Sequence, residues 1–110
     1  MKYLKLFENI INKPQIGDYV ICDEENKNTK LINFISSNIG QIIDGPEPNT
    51  NLNVSPGFDI YYTIKYNNYN NIDDLIKSGG LRNMYLIEIL YSSPNFEDVE
   101  IYMNTKKFNI

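Results

Sequence analysis

The 110-residue sequence contains no histidine, no tryptophan and no alanine, and it has a single cysteine. Without histidine the chain cannot form a Ser-His-Asp triad or a Cys-His pair, and the common zinc sites lose their usual nitrogen ligand. One cysteine cannot supply an intrachain disulfide framework. We therefore expect no metal site, no cofactor and no catalytic residues, and a protein that is not an enzyme.

Positive charge and long apolar runs are also scarce. The net charge is −4 at pH 7, and the densest basic feature is the pair Lys106-Lys107, which falls short of the footprint of a nucleic-acid-binding surface. No apolar stretch reaches the roughly 18 residues of a membrane span, and Lys2 is not followed by a signal-peptide apolar region. These features disfavour nucleic acid as a partner, argue against a membrane, and predict a cytoplasmic protein (for a viral protein, one of the host cytoplasm or the virion).

The residues that are abundant point to nucleotide bias. Asparagine and isoleucine each occur 17 times, and nine lysines stand against one arginine. Asn, Ile and Lys have AT-rich codons, whereas Ala and Arg are mostly GC-rich. The composition therefore predicts a very AT-rich genome, such as that of a low-GC bacterium, its phage or a large DNA virus. Hydrophobic residues make up 42% of the chain, which is enough for the core of one small domain.

Hydropathy patterns predict one domain over residues 1–110, opened by an amphipathic helix. Residues 1–13 place six apolar side chains on one helical face, and Pro14 ends the helix. Because a small domain has little other core, we expect Phe7 and Ile10 to be buried. The elements predicted next are a strand at 16–22, a helical turn at 31–35, a strand at 39–44 and a loop at 45–57.

The second half of the chain contains the clearest strand pattern. Over 58–66, apolar and polar residues alternate with a period of two. Gly79-Gly80 is expected to end the preceding helix, and Ser93-Pro94 has the pattern of a helix N-cap followed by proline. The elements predicted here are the strand 58–66, a helix at 72–77, a single strand at 84–91 and a C-terminal helix within 93–110.

Three segments resemble the strands of small β-barrels of the Src-homology-3-like kind, to which KOW and Tudor modules belong. They are Ile16-Gly17-Asp18-Tyr19-Val20, Ile39-Gly40-Gln41-Ile42-Ile43 and Tyr62-Thr63-Ile64-Lys65-Tyr66. The resemblance covers about residues 15–92 and implies an α+β, mainly β fold: a small barrel, or a strongly bent antiparallel sheet, with inserted short helices and terminal helices. The flanking helices are similar to those of small accessory barrels among uncharacterised phage proteins.

Tyrosine occurs nine times and supplies the candidate binding residues. An exposed cluster of tyrosines could bind a peptide, a cation or a stacked base, whereas a buried one would be the edge of the core. Tyr62 and Tyr66 share the apolar face of the predicted strand, and Tyr61 lies on the opposite face. The candidates are Tyr61, Tyr66, Tyr69 and Tyr91. The binding hypothesis carries the expectation that Tyr61, Tyr66 and Tyr69 form one exposed patch with the 45–57 loop.

Other reactive side chains have ordinary structural interpretations. Cys22 lies in an apolar run and is expected to be a buried small hydrophobe. The acidic run 23–25 could hold a hard cation, but it is more typical of a solvated turn. Glu88 alternates with apolar residues, so it could pair with Arg82 or Lys65 at a barrel rim, or reach solvent as a polar tip.

Three functional hypotheses follow. The first is a small non-enzymatic binding or adaptor protein with a protein partner, from a phage or virus of an AT-rich host. The second is a structural or capsid-packaged virion protein, because Leu6-Phe7-Glu8 resembles the Leu/Ile-x-Glu pattern cut by prohead proteases. The third is an inhibitor of a host defence system, since acidic proteins can occupy basic grooves.

Overall fold

The computed structural model describes residues 13–24, 28–50 and 55–108, with side chains as far as residue 105. Within these residues the fold is α+β, as the sequence predicts: five strands form one antiparallel sheet, with three α-helices and one 3-10 turn. The strands are β1 (Tyr19–Cys22), β2 (Gly40–Pro48), β3 (Ile60–Lys65), β4 (Leu81–Tyr85) and β5 (Ile89–Ser93). The helices are α1 (Thr29–Ser37), α2 (Asp73–Ser78) and α3 (Phe96–Phe108), and the 3-10 turn is Leu86–Glu88.

The strand order β4-β3-β2-β1-β5 places β4 and β5 at opposite edges of the sheet. In a flat sheet these edges would lie about 19 Å apart, at roughly 4.8 Å per strand. Yet the two strands are joined by the three-residue 3-10 turn alone, which spans only about 6 Å. The sheet is therefore strongly bent. It is not closed, because the described residues of β4 and β5 do not pair with each other.

The prediction of one continuous strand over 84–91 is wrong. Polar contacts interrupt it: the Glu88 carboxylate accepts the Tyr85 N–H at 2.9 Å, and the Ile87 N–H donates to the Gly57 carbonyl at 3.0 Å. The chain therefore turns at Leu86–Glu88, and its two halves enter opposite edges of the sheet. An unbroken apolar pattern in the sequence did not reveal this turn.

The loop predicted over 45–57 begins later than expected, because β2 continues through Pro48. The pairing of β2 with β3 shifts register twice, between Ile42 and Asp44 and again between Asp44 and Glu47. Such irregularities accommodate the two prolines of this segment, which cannot donate to a ladder. They also bend the longest strand of the sheet.

The core lies on the inner face of the sheet. Inner side chains of β2, β3 and β4 pack with Leu31 and Ile35 of α1 and Leu75 of α2. A Cβ on Gly40 would clash with Cγ2 of Ile64, so a glycine is needed where β2 passes this close to β3. The fully buried side chains on β2, β3, β4 and just after β3 are Ile42, Tyr62, Ile64, Tyr66 and Met84.

Strand β1 is covered on both faces. Helix α1 packs on one side and α3 on the other, where the rings of Tyr19 and Phe96 meet edge to face with centroids 5.4 Å apart. Three of its four residues are consequently buried. Cys22 is one of them, so the interpretation of this cysteine as a buried residue is confirmed.

Helix α3 starts later than the Ser93-Pro94 pattern predicts. Strand β5 continues to Ser93, and the helix begins at Phe96. The Ser93 hydroxyl accepts the Asn95 N–H and donates to the Asp98 carboxylate, both at 3.1 Å. The serine thus stabilises the turn before the helix. At the other end of the chain, the helix predicted over 1–13, with Phe7 and Ile10, lies outside the described residues except for Lys13.

Candidate functional site

Aromatic side chains gather on the outer face of the sheet, across β3 and β4. Tyr61 lies opposite Tyr85 in the strand register, and their ring centroids are 6.4 Å apart in an edge-to-face arrangement. The ring of Phe58 meets Tyr85 edge to face at 5.2 Å. Each of these rings is half-buried, and Ile87, from the adjoining 3-10 turn, is 54% exposed. We call these four residues the tyrosine face.

Backbone contacts hold the Phe58 side of the tyrosine face in place. Gly57 adopts φ +90°, and a Cβ there would lie 2.7 Å from Cβ of Ile87. Only glycine allows the segment to approach the 3-10 turn this closely, and the Gly57 carbonyl accepts the Ile87 N–H. Asn49 adds two bonds, from its N–H to the Asp59 carbonyl at 2.8 Å and from its side-chain amide to the Phe58 carbonyl at 2.9 Å.

Carboxylates border the tyrosine face. Glu47 lies directly opposite Tyr61 in the β2–β3 register, and Asp44 lies opposite Thr63. Asp59 precedes β3, two residues before Tyr61. All three acidic residues are exposed. The nearest lysine on β3 is Lys65, four residues beyond Tyr61 and so about 13 Å along the strand.

The four tyrosines chosen from the sequence do not form one surface. Tyr61 belongs to the tyrosine face, but Tyr66 is fully buried, so the expectation of an exposed patch that includes Tyr66 is wrong. Tyr69 is half-buried and packs against the core. Tyr91 stacks on Tyr102 of α3, with centroids 4.6 Å apart, on the side of the sheet that α3 covers.

Sequence reasoning missed Phe58, Tyr85 and Ile87 as members of the site. The alternation over 58–66 assigned Phe58 to the inner face, but β3 begins at Ile60 and the Phe58 ring turns outward to Tyr85. The available signal was Gly57, since a glycine before a strand often marks a turn that resets the alternation. Tyr85 was placed in one strand with Tyr91, which hid its pairing with Tyr61.

A shallow cleft of about 550 Å³ lies at the other end of β3 and β4. The chain's single arginine, Arg82, lines it and makes a two-pronged hydrogen bond and ion pair with Glu24. The hydrogen bonds that Arg82 donates to Glu24 are the main cause of its raised pKa. Glu24 is therefore not part of a solvated turn, and Arg82 forms an ion pair with it. The charge of Glu88 also helps to raise the pKa of Arg82. Because the Arg82 guanidinium is already paired with Glu24, this cleft is a weaker candidate for a binding site.

Three titratable groups are buried in the core. Burial raises the pKa of the Cys22 thiol to about 12, which the neighbouring Tyr66 hydroxyl only partly opposes. Burial, and then the proximity of Cys22, raises the pKa of Tyr66 well above its ordinary value. Burial and the nearby Asp18 also raise the pKa of Tyr62. All three groups stay protonated at neutral pH, so none is a ready nucleophile or base.

Other kinds of site find no support in the described part of the chain. No three His, Cys, Asp or Glu side chains there come together as a metal-binding group, and no helix among residues 13–24, 28–50 and 55–108 could cross a bilayer. Comparison of the chain with family models, curated proteins and solved structures finds no match. The side chains of the tyrosine face and their geometry are therefore the basis for inferring its function.

Proposed function

We propose that this protein is a non-enzymatic binding module with a Src-homology-3-like architecture, and that the tyrosine face docks a protein partner. The strand order supports the architecture: an antiparallel run β1 to β4 is followed by a 3-10 turn, and β5 returns to pair with β1. The bent, irregular β2 is shared between the two halves of the sheet. Helices α1 and α2 take the places of loops in such a barrel.

The exposed aromatic cluster is the single observation that carries the binding role. Tyrosine and phenylalanine rings supply large, rigid contact area at low entropic cost and are enriched in protein interfaces. Here three rings and Ile87 lie side by side on an outer sheet face. Backbone hydrogen bonds to the segment at Gly57 hold them in position before any partner arrives, which lowers the cost of ordering on binding.

The absence of catalysis and the viral origin belong to the same proposal. The sequence has no histidine, and its one thiol has a pKa raised to about 12, so a histidine base and a reactive thiol are missing. The AT-rich codon bias supports a phage or virus of an AT-rich host, in whose cytoplasm the protein would meet its partner.

Affinity capture from lysate of an AT-rich bacterial host, before and after phage infection, tests the docking role. Two variants alter the tyrosine face, Tyr61→Ala and Ile87→Ser. Their matched controls are Tyr91→Ala and Ile101→Ser, since Ile101 is 63% exposed on α3. We expect a partner that the wild type and both controls retain and that both face variants lose. Equal retention by all five proteins would contradict docking at this face.

A further inference from the structure

We propose that the segment docked on the tyrosine face presents a lysine or arginine side chain, which lies over the ring of Tyr61 and reaches the carboxylate of Glu47. The inference rests on the proposed function and names the chemistry of its partner. It is carried by the position of Glu47, directly across from Tyr61 in the register. A cation there would meet an aromatic ring and a carboxylate together, and the two attractions add.

Among the residues that the structure describes, the charged side chains that border the tyrosine face are carboxylates. Asp44, Glu47 and Asp59 are exposed along its border. The only arginine of the chain points to the inner side, because Arg82 lies opposite Ile64 and binds Glu24. Lys65 is about 13 Å along β3 from Tyr61, which is beyond the roughly 8 Å over which exposed charges act at physiological salt. Neither Arg82 nor Lys65 therefore competes with a cationic partner for the carboxylates of this face.

The same charges argue against a nucleic acid in this position. A base stacked on Tyr61 would bring its phosphate close to Glu47 and Asp59, and each like-charge approach is unfavourable. A purely apolar segment would contact the three rings and Ile87, but the carboxylates would then have no role in recognition. A peptide that combines an apolar residue with a lysine or arginine satisfies both parts of the surface.

Small probes test the inference without knowledge of the partner. The ¹⁵N-labelled full chain is titrated with N-acetyl-arginine methylamide and N-acetyl-lysine methylamide, and separately with the neutral N-acetyl-norleucine methylamide, which has a similar chain length. We expect the cationic probes to shift the resonances of Tyr61, Tyr85 and Glu47 at lower concentrations than the neutral probe. Glu47→Gln should weaken the binding of the cationic probes by about threefold. The control Glu97→Gln on α3 should leave their binding unchanged.

The outcomes separate the inference from the proposed function. If norleucine shifts the tyrosine face as strongly as arginine and Glu47→Gln has no effect, the face is an apolar docking surface and the cationic inference is overturned. If the cationic probes shift only residues on α3 or α1, the inference is also overturned. If no probe shifts the face and the lysate capture is also insensitive to Tyr61→Ala, both proposals fail.

Discussion

Tyr61 on β3 and Tyr85 on β4 occupy directly opposed positions in the sheet, with their rings edge to face and their centroids 6.4 Å apart. The β3–β4 register determines this ring contact, since a slip of one residue would turn Tyr61 to the inner face. The inner neighbour Tyr62 pairs with Met84 in the core. Burial of the Tyr62–Met84 pair therefore fixes the position of the exposed Tyr61–Tyr85 pair.

The Gly57–Ile87 contact gives the first prediction. Gly57→Ala should lower the free energy of unfolding by about 2–4 kcal/mol, because it adds the strain of a positive φ to a clash with Ile87. Gly17→Ala is the matched control, since Gly17 has φ +96° but nothing within 4 Å of its Cβ position. Denaturant unfolding measures both variants.

The clash should be relieved in the double variant Gly57→Ala/Ile87→Gly, because the nearest clashing atom is Cβ of Ile87. We expect its loss of stability to be smaller than the sum of the two single losses, in a double-mutant cycle. Additive losses, or equal costs for Gly57→Ala and Gly17→Ala, would show that Gly57 is required only for its φ and not for its contact with the 3-10 turn.

The Glu24–Arg82 pair gives the second prediction. Arg82→Lys keeps the charge but loses the two-pronged geometry, and we expect it to cost about 1–2 kcal/mol of stability. Lys65→Gln, on the neighbouring strand and exposed, should change stability by less than about 0.5 kcal/mol. Thermal and denaturant unfolding at low and high salt provide the measurement. A fully stable Arg82→Lys protein would mean that the pair is a simple surface charge contact.

Much of the fold could be predicted from local patterns. The α+β class, the alternation of β3 and the end of α2 at Gly79 follow from period-two hydropathy and from the helix-stopping role of glycine. The division of the apolar run 84–91 could not be predicted, because it depends on contacts of the 3-10 turn with distant Gly57. Local sequence carries no signal for a bond between residues 30 positions apart.

The candidate site could be predicted only in part. The surface position of Tyr61 follows from its alternation with apolar neighbours in the strand pattern. Tyr66 is also a tyrosine but lies in the core beside Cys22. Composition alone does not distinguish the buried Tyr66 from the surface residue Tyr61. Tyr85 and Phe58 join Tyr61 through strand register and a turn, which are tertiary properties.

The buried thiol gives a third prediction, the loss of stability in alkali. The pKa of Cys22 is raised from an ordinary 9.0 to about 12 in the folded protein. Between these values the unfolded chain binds fewer protons than the folded one, so stability falls as the pH rises above about 9, by up to about 1.4 kcal/mol per pH unit. Denaturant unfolding from pH 7 to pH 10.5 measures the slope.

Two variants identify which buried group causes the decline in stability with pH. Cys22→Ala should flatten the decline between pH 9 and pH 10, although the cavity lowers stability at every pH. Tyr66→Phe should leave that interval unchanged and reduce the decline above pH 10, where the raised pKa of Tyr66 contributes in the same direction. A Cys22→Ala protein with an unaltered slope would show that the thiol is not responsible.

The hydroxyl of Tyr62 gives a fourth prediction. It is buried and has no hydrogen-bond partner among the residues that the structure describes. A buried unpaired hydroxyl is unfavourable by about 1–3 kcal/mol, so Tyr62→Phe should raise the free energy of unfolding by about 1 kcal/mol. Tyr61→Phe, on the outer face, should stay within about 0.5 kcal/mol of the wild type. Destabilisation by Tyr62→Phe would reveal a partner for this hydroxyl.

A charge swap at Glu47 tests the proposal that Glu47 and Tyr61 together receive a cationic side chain of a protein partner. Cross-linking from p-benzoylphenylalanine at position 61 identifies the docked segment, and calorimetry then measures its synthetic peptide against the full chain. We predict that Glu47→Lys weakens binding about tenfold, that Glu97→Lys does not, and that changing the peptide's lysine or arginine to glutamate restores binding to Glu47→Lys. Undiminished binding by Glu47→Lys, or no restoration by the swapped peptide, would show that no cation docks between Glu47 and Tyr61.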